Sequence, residues 1–357
     1  METLYFCLGL VALVIGAELL VRGSSRLALS CGVSPLVVGL TIVAFGTSAP
    51  EVAVSVGSAI HGNSDIAIGN VVGSNIFNVL FILGVSALIT PLVVHAQILR
   101  QEVPIMIASS LLLLAFAADG NLSFGESAAF AILLVAYTVF LIRQSRRQTA
   151  AMKAELTANA EPAARAHGHW SIQVVLVIVG LGFLVLGADW LVASATHFAR
   201  ELGVSDLVIG LTIVAAGTSL PEVATSITAA IRGQRDIAIG NVIGSNTFNI
   251  LGCLGATGMV AKNGLPIADS MLSFDLWVML AVAFLCLPLF FTGRRIARWE
   301  GFFLLASYVA YTAWSVLAAQ QHAALATLQW ALLWVALPVC GVLLTLSLLP
   351  SKKTAAE

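Results

Sequence analysis

GLTIVAFGTSAPEVAVSVGSAIHGNSDIAIGNVVGSNIFNVLFILG at residues 39–84 recurs as GLTIVAAGTSLPEVATSITAAIRGQRDIAIGNVIGSNTFNILGCLG at residues 210–255. The two copies are offset by 171 residues, and 32 of the 46 aligned positions are identical. Each copy carries a glutamate and several Thr, Ser and Asn residues within apolar sequence. The duplication predicts two related halves that share one polar site, and its acidic residues indicate a cation as the occupant.

The composition around these copies is that of a membrane protein. Of 357 residues, 59% are hydrophobic and only 10% are charged, and the mean hydropathy is +0.99. A hydrocarbon core of roughly 30 Å needs about 20 helical residues, and eleven apolar stretches of that length are predicted as spans. Their centres lie near residues 14, 46, 77, 110, 133, 182, 217, 246, 282, 308 and 337. The fold class is therefore all-α and polytopic.

The duplication divides the predicted spans into two repeats of five. We expect the first repeat over 1–143, a cytoplasmic and partly helical linker over 144–170, the second repeat over 171–320, and an eleventh helix with a tail over 321–357. Because five is an odd number, the second repeat enters the membrane from the opposite side, and the two halves are inverted. Inverted repeats are typical of transporters, which bind substrate near the midplane where the repeats meet.

Basic residues predict the orientation of the chain. With the N-terminus outside, fifteen of the seventeen Lys and Arg residues fall on the cytoplasmic side, and only Arg200 and Lys262 fall outside. The positive-inside rule therefore predicts a multi-pass protein of the inner (plasma) membrane with a cytoplasmic C-terminus. The lipid bilayer is the expected partner, and the basic residues need no nucleic acid to explain them.

Each copy contains a proline that is expected to break its helix. Pro50 has no N–H to donate to the carbonyl of Gly46, and its ring disfavours helix at Ala49; Pro221 does the same to Gly217. Broken helices at bilayer depth are tolerated where they line protein or a cavity. The carbonyl oxygens freed in this way are potential cation ligands.

Glu51 and Glu222 follow these prolines, near the middle of spans two and seven. A charge at that depth costs about 3 kcal/mol or more, and two facing carboxylates would repel unless a cation lay between them. Ca²⁺ takes six to eight oxygens at about 2.3–2.6 Å. Carbonyls and the hydroxyls of Thr47, Ser48, Thr218 and Ser219 could add to the two carboxylates.

The following span in each half presents amides and hydroxyls on one helical face, because these residues are four apart. They are Asn70, Ser74 and Asn78 in the first copy and Asn241, Ser245 and Asn249 in the second. No Cys or His joins them, which argues against zinc, copper or iron. Small and polar residues also serve simply to pack membrane helices, but two matched copies with a glutamate each favour a binding site.

Four other acidic residues are expected to be structural. Glu18 and Asp189 lie near the ends of spans one and six, where they would brace the bundle or pair with a neighbour. Asp65 and Asp236 begin spans three and eight, where an N-cap role is expected.

GTSxPE followed by GNxxGSNxFN, present twice in inverted halves, resembles the alpha repeats of the sodium/calcium exchangers, in the wider cation/calcium antiporter superfamily. The resemblance covers spans one to ten, and the chain is similar in length to the compact prokaryotic members. It implies a secondary active antiporter that exchanges Na⁺ for Ca²⁺ by alternating access. Such a protein is not an enzyme, and the ions are its cargo, so no cofactor is expected.

Position by position, the resemblance implies that Glu51 and Glu222 are shared ligands of Ca²⁺ and Na⁺. The other implied ligands are Thr47, Ser48, Thr218 and Ser219, the backbone oxygens of Ala44 and Ala215, and Ser74, Asn78, Ser245 and Asn249. Some members, potassium-dependent exchangers among them, carry an aspartate at one of the two positions held here by Asn78 and Asn249. Amides at both positions make potassium cotransport less expected.

Other functions stay open at this point. A Ca²⁺/H⁺ antiporter, or a related cation/Ca²⁺ exchanger, would use the same carboxylates to carry protons. A passive cation channel is a further alternative, although inverted repeats with broken helices favour alternating access. An intramembrane hydrolase is disfavoured, because the sequence has no HExxH, GxSxG or paired-aspartate protease motif.

Overall fold

The computed structural model describes residues 1–157, 170–202, 213, 215–291 and 293–331. Eight helices in this part of the chain are long and apolar enough to cross a membrane, and a bent helix pair makes a ninth span. The described part of the predicted seventh span is a short apolar helix, and the rest of this span lies outside the described residues. Most of the predicted eleventh span also lies outside the described residues. The all-α membrane architecture is confirmed.

The helices follow one another with short connections. They are α1 Glu2–Cys31, α2 Pro35–Thr47, α3 Ala49–Ile60, α4 Ser64–Ile89, α5 Ile98–Asp119, α6 Phe124–Thr157, α7 Trp170–Glu201, α8 Leu220–Ile231, α9 Arg235–Val260, α10 Met271–Phe291, α11 Arg298–Ala319 and α12 Ala324–Ala331. The short turn Ala215–Gly217 precedes α8. α9 is buried along its whole apolar window, whereas only 17% and 6% of the windows of α6 and α11 are buried. The core of the bundle therefore surrounds α9, and α6 and α11 face outward.

The predicted break in the second span is present, one residue earlier than expected. α2 and α3 meet at a bend of 44°. The non-helical residue is Ser48, with φ −83° and ψ 8°, and Ala49 already belongs to α3. Ser219 has the same conformation before α8. Pro50 and Pro221 each occupy the first turn of the new helix, where the missing N–H has no intrahelical partner to lose.

Several helices widen into π-helical turns, which were not predicted. They cover Gly39–Val43, Asn78–Ile82, Ile98–Glu102, Asn249–Leu254 and Met271–Asp275. Such turns often mark functional sites, because the wider turn shifts the side chains that follow it. Two of them begin at Asn78 and Asn249, which occupy equivalent positions in the two copies.

α1 and α7 pack closely and antiparallel through glycines. A Cβ atom added to Gly16 would lie 2.8 Å from the carbonyl oxygen of Gly180, and one added to Gly187 would lie 2.8 Å from the backbone nitrogen of Leu13. Small residues let membrane helices approach this closely. The two long helices therefore touch backbone to backbone.

Two short antiparallel ribbons join loops from different halves of the chain. β1 (Leu92–Val93) pairs with β4 (Arg295–Ile296), and β2 (Asn121–Leu122) pairs with β3 (Leu265–Pro266). The first ribbon joins the α4–α5 and α10–α11 connections, and the second joins the α5–α6 and α9–α10 connections. Each ribbon therefore ties together two loops that share a predicted side of the membrane.

The N-cap role predicted for Asp65 and Asp236 is wrong. Asn63 and Gln234 hold the N-cap positions, and the aspartates lie in the first turns of α4 and α9. A carboxylate there still interacts favourably with the positive end of the helix dipole. The predicted linker 144–170 begins inside α6, which continues to Thr157, while residues 158–169 lie outside the described part.

Candidate cation site

Glu51 and Glu222 lie in the first turns of α3 and α8, immediately after the two breaks. Both side chains are fully buried, with 0% relative exposure. The positive end of each helix dipole favours a carboxylate at this position. The break therefore does two things, since it stops the preceding helix and starts a new one whose N-terminus stabilises the buried acid.

Each glutamate accepts a hydrogen bond from the serine at the opposite break. Ser48 Oγ donates to Glu222 Oε1 at 2.7 Å, and Ser219 Oγ donates to Glu51 Oε1 at 2.7 Å. The side chains of both serines are fully buried. The two breaks predicted from sequence thus face one another in the centre of the bundle, with their polar groups crossed between the repeats.

Four buried oxygen atoms in this region have no hydrogen-bond partner. They are Glu51 Oε2, Glu222 Oε2, Asn78 Oδ1 and Asn249 Oδ1. A buried polar atom without a partner is costly, and most such atoms in proteins are paired. All four atoms are acceptors when the glutamates are ionised. The chemistry of this set fits a hard cation, which would bind oxygens and needs no donor.

A quartet of asparagines fixes the orientation of two of these amides. Asn78 Nδ2 donates to Asn246 Oδ1 at 3.0 Å, and Asn249 Nδ2 donates to Asn75 Oδ1 at 3.2 Å. Asn75 and Asn246 also donate to each other's backbone carbonyls. Because the NH₂ groups of Asn78 and Asn249 are engaged, their Oδ1 atoms are left for another partner.

Asn75 and Asn246 were missed as functional residues. A signal was available, because both occupy the Asn of the repeated GSN triplet. They lie one residue after Ser74 and Ser245 and therefore off the helical face formed by every fourth residue. Their role is to hold the amides of the opposite repeat.

The predicted threonines pair with amides of the opposite repeat. Thr47 Oγ1 donates to Asn241 Oδ1 at 3.1 Å, and Thr218 Oγ1 donates to Asn70 Oδ1 at 3.3 Å. These hydroxyl hydrogens are used, so only the oxygen lone pairs of the threonines remain for a cation. Asn70 and Asn241 in turn donate to the backbone carbonyls of Glu51 and Glu222.

The serines of α4 and α9 contact the same cluster. Ser74 Oγ lies 3.1 Å from Ser219 Oγ, and Ser245 Oγ donates to Glu222 Oε1 at 3.5 Å. The structure thus brings the predicted glutamates, serines and threonines into contacts that cross between the repeats, with each half contributing the same residue types.

The backbone oxygens of Ala44 and Ala215 were also predicted as ligands. The carbonyl of Ala44 accepts from Ser48 N at 3.0 Å, and Thr47 Oγ1 lies 3.4 Å from it. It is therefore less free than the sequence suggested, although it points into the same break. Ala215 begins the turn before the second break, and its side chain is among those left undescribed.

Glu18 forms ion pairs rather than joining the site. It contacts Arg22 on the same helix, and it pairs with two nitrogens of Arg232, at 2.9 Å each. α1 is longer than predicted, so Glu18 lies well inside the helix and not near its end. Asp189 is exposed on α7. Glu18 therefore braces α1 against the end of α8, which is a structural role.

The helices form a membrane-spanning bundle in which hydrogen bonds between two sequence-related halves surround a pair of buried carboxylates. These features define the class of membrane cation transporters. The pattern of the family described as "Sodium/calcium exchanger protein" matches residues 1–143 and 172–317. The chain belongs to this sodium/calcium exchanger family. It is a transporter of the cation/Ca²⁺ antiport class and not an enzyme, and its ions are cargo rather than cofactors.

Individual relatives agree with this assignment. The chain is 37% identical over 339 residues to the sodium/calcium exchanger MaX1 of Methanosarcina acetivorans, covering 86% of this chain and 96% of that one. It is 36% identical over 290 residues to the inner membrane protein YrbG of Escherichia coli, covering 80% and 89%. A solved structure of the sodium-calcium exchanger NCX_Mj matches with a TM-score of 0.74 and 32% identity, covering 87% of this chain and 97% of that one.

Proposed function

We propose that this protein exchanges Na⁺ for Ca²⁺ across the membrane by alternating access, with Glu51 and Glu222 as ligands that both ions share. The observation that carries the proposal is the set of four buried, unpartnered acceptor oxygens on Glu51, Glu222, Asn78 and Asn249. The family assignment and the name of the relative MaX1 support the choice of ions.

The proposed ligand set consists of two carboxylates surrounded by neutral oxygens. It comprises Glu51, Glu222, Thr47, Ser48, Thr218, Ser219, Ser74, Asn78, Ser245, Asn249 and the backbone oxygens of Ala44 and Ala215. No group of three or more His, Cys, Asp or Glu side chains lies together in the described part of the chain. Beyond the two glutamates, the coordination must therefore come from amide, hydroxyl and carbonyl groups, which suit Ca²⁺ and Na⁺.

Exchange follows from competition for these oxygens. One Ca²⁺ neutralises two carboxylates, whereas an empty site would carry two buried negative charges and would be costly to reorient. If the sodium load exceeds two ions, as in the family, the sodium-bound site carries positive charge. An inside-negative potential of 100 mV contributes about 2.3 kcal/mol for each such charge. Sodium entry would then drive calcium extrusion.

Unequal exposure of equivalent groups supports alternating access. The Thr47–Asn241 pair is buried, whereas Asn70 and Thr218, which form the equivalent pair, are both partly exposed. Two halves of nearly identical sequence are therefore in different environments, as expected when a site opens to one side at a time. We propose that α1 and α7 slide along the core to exchange these environments.

The proposed orientation has the N-terminus outside and the C-terminus in the cytoplasm. In it, the β1–β4 ribbon, with Arg294 and Arg295, and the start of α11 at Arg298 lie on the cytoplasmic side. Lys262 lies beside the β2–β3 ribbon on the other side. The two inverted repeats, 1–143 and 171–320, remain part of this proposal, with the linker and the eleventh helix as additions.

A Ca²⁺/H⁺ antiporter is the second candidate. The specific observation in its favour is that each buried glutamate has one oxygen bonded to serines and one without a partner, which could hold a proton. The amides at positions 78 and 249 leave two acids in the proposed site. Potassium cotransport, which some members with an additional aspartate perform, is therefore not proposed.

Purified protein in liposomes distinguishes these functions. ⁴⁵Ca²⁺ uptake should follow an outward sodium gradient at clamped pH and should be insensitive to a potassium gradient. Uptake driven by a pH gradient in the absence of sodium would instead establish proton exchange. Calcium flux that needs no counter-ion gradient would indicate a channel and contradict both.

A further inference from the structure

A groove runs along the outer face of the bundle beside α6, away from the cation site; its apolar part lies between α5 and α6, and its other part is lined by described residues of α6 alone. Its apolar part has a cavity volume of about 380 Å³ and is lined by Ile105, Leu112, Leu133 and Leu251, among others. Its second part has a volume of about 590 Å³ and is lined by Arg143, Gln144 and Arg147. Ala136 and Phe140 line both parts, so the two parts adjoin. These volumes lie in the range of roughly 300–1,000 Å³ typical of ligand sites.

The apolar part opens toward the hydrocarbon of the membrane. Only 17% of the apolar window of α6 is buried within the protein, and Ile132 and Val135 beside the groove are 68% and 63% exposed. In a bilayer these side chains contact lipid chains. The groove is therefore accessible to a hydrocarbon chain from the membrane.

The other end of the groove is basic. Arg143 and Arg147 are four residues apart, on one face of α6, and both are exposed. The apolar run of α6 ends at Ile142, directly before Arg143, which places the two guanidinium groups at the level of lipid head groups. Neither arginine forms an ion pair within the described part of the chain, in contrast to Arg22 and Arg232, which both pair with Glu18.

The buried acid behind Tyr137 does not neutralise these arginines. Glu102 is fully buried, and its carboxylate accepts hydrogen bonds from Gln97 at 2.9 Å, Gln101 at 2.7 Å and Tyr137 at 2.7 Å. Tyr137 lines the apolar part of the groove and turns its hydroxyl away from it, toward Glu102. The positive charge of the groove is thus left for an external anion.

We propose that this groove binds one anionic phospholipid, with its phosphate on Arg143 and Arg147 and an acyl chain along the apolar part. Arginines near the membrane surface attract anionic head groups, and guanidinium groups bind phosphate well. Leu251 belongs to the π-helical turn that begins at Asn249, so the bound chain contacts the helix that carries part of the cation site. The lipid is therefore positioned to influence the ion site without touching it.

Native mass spectrometry of the full-length protein with added phosphatidylglycerol tests the proposal. The wild type should retain one phosphatidylglycerol in preference to phosphatidylcholine. Each arginine near a lipid surface contributes about fivefold in affinity, so Arg143→Gln with Arg147→Gln should weaken retention by roughly twenty-fivefold. The matched control is Arg146→Gln, since this arginine is exposed on the same helix but does not line the groove. It should retain the lipid like the wild type.

A second variant tests the apolar part separately. Ala136→Trp fills the point where the two cavities meet and should abolish lipid retention while all the arginines remain. Equal losses from Arg146→Gln and from the double variant would show non-specific surface attraction and overturn the site. Equal retention of phosphatidylcholine would also overturn the site. A dimer peak that is the only signal to change in Ala136→Trp would overturn it too, because it would assign the groove to a second copy of this chain. The readout is binding, so it does not depend on the proposed exchange.

Discussion

Each central glutamate has one oxygen bonded to the serine of the opposite break and one without a partner. This arrangement ties the two repeats together through the site itself, since either serine serves the acid of the other half. The serines and asparagines also fix which atoms point inward. The unpartnered atoms of the site are therefore oxygens rather than N–H or O–H donors, and they favour a cation.

The residue types of the site were predictable from the duplicated sequence, because a buried glutamate in each copy has few structural explanations. The hydrogen-bond partners across the two halves were not predictable. Nothing in the sequence relates Ser48 to Glu222 rather than to Glu51, since that choice depends on how the two halves meet. Asn75 and Asn246 were missed for the same reason, because they bond across the interface between repeats.

Asn249→Asp should change ion selectivity. The unpartnered Oδ1 of Asn249 would become part of a third buried carboxylate, and a negative charge attracts a divalent ion twice as strongly as a monovalent one. Calcium affinity should rise by about tenfold or more relative to sodium affinity. The measurement is ⁴⁵Ca²⁺ uptake titrated with sodium and potassium. Asn63→Asp, in the exposed α3–α4 connection, is the control, and an unchanged ion dependence at position 249 would remove this residue from the site.

The elements show how far the helix pattern can be read from composition. Apart from the centre near residue 217, which lies in the short turn Ala215–Gly217, the predicted centres of the spans fall on helices wherever the structure describes them, because apolar length decides a membrane helix. The break lies one residue earlier than predicted, since a proline is well tolerated in the first turn of a helix and Ser48 is the non-helical residue instead. The π-helical turns were not predicted, because one extra residue per turn leaves no clear mark on the apolar pattern.

Gly16→Ala should destabilise the contact between α1 and α7. The added Cβ would lie 2.8 Å from the backbone oxygen of Gly180, where nothing flexible can move aside. Overpacking of this kind costs about 1–3 kcal/mol. The thermal midpoint of the purified protein should fall by several degrees, and calcium flux should slow.

Gly182→Ala is the matched control for that change. It lies on the same helix pair, and an added Cβ there has no heavy atom of the described residues within 4 Å. Equal midpoints for the two variants would show that the glycine contact does not support the bundle.

At the scale of the whole molecule, the two halves are held together by three kinds of contact. The polar groups cross at the centre, α1 and α7 touch through glycines, and the two β ribbons link loops of opposite halves. Inversion follows from the odd number of spans in each predicted repeat. The distribution of basic residues predicts the orientation of the whole chain in the membrane.

Labelling of single cysteines tests this orientation. In a background without the exposed Cys7 and Cys31, Lys262→Cys should react with a membrane-impermeant maleimide applied to spheroplasts. Arg146→Cys should react only after the membrane is permeabilised, because the proposed linker end of α6 is cytoplasmic. The reverse pattern would invert the proposed topology and would leave the architecture of the site unchanged.

The paired glutamates are tested most directly by sodium-gradient-driven ⁴⁵Ca²⁺ uptake into liposomes that contain wild-type protein, Glu51→Gln or Glu222→Gln. Glutamine keeps the size and one acceptor oxygen but removes the charge that holds a divalent ion, so each variant should lose roughly a hundredfold or more in uptake. The exposed Glu201→Gln is the control and should transport at the wild-type rate. Wild-type uptake by both central variants would contradict the account.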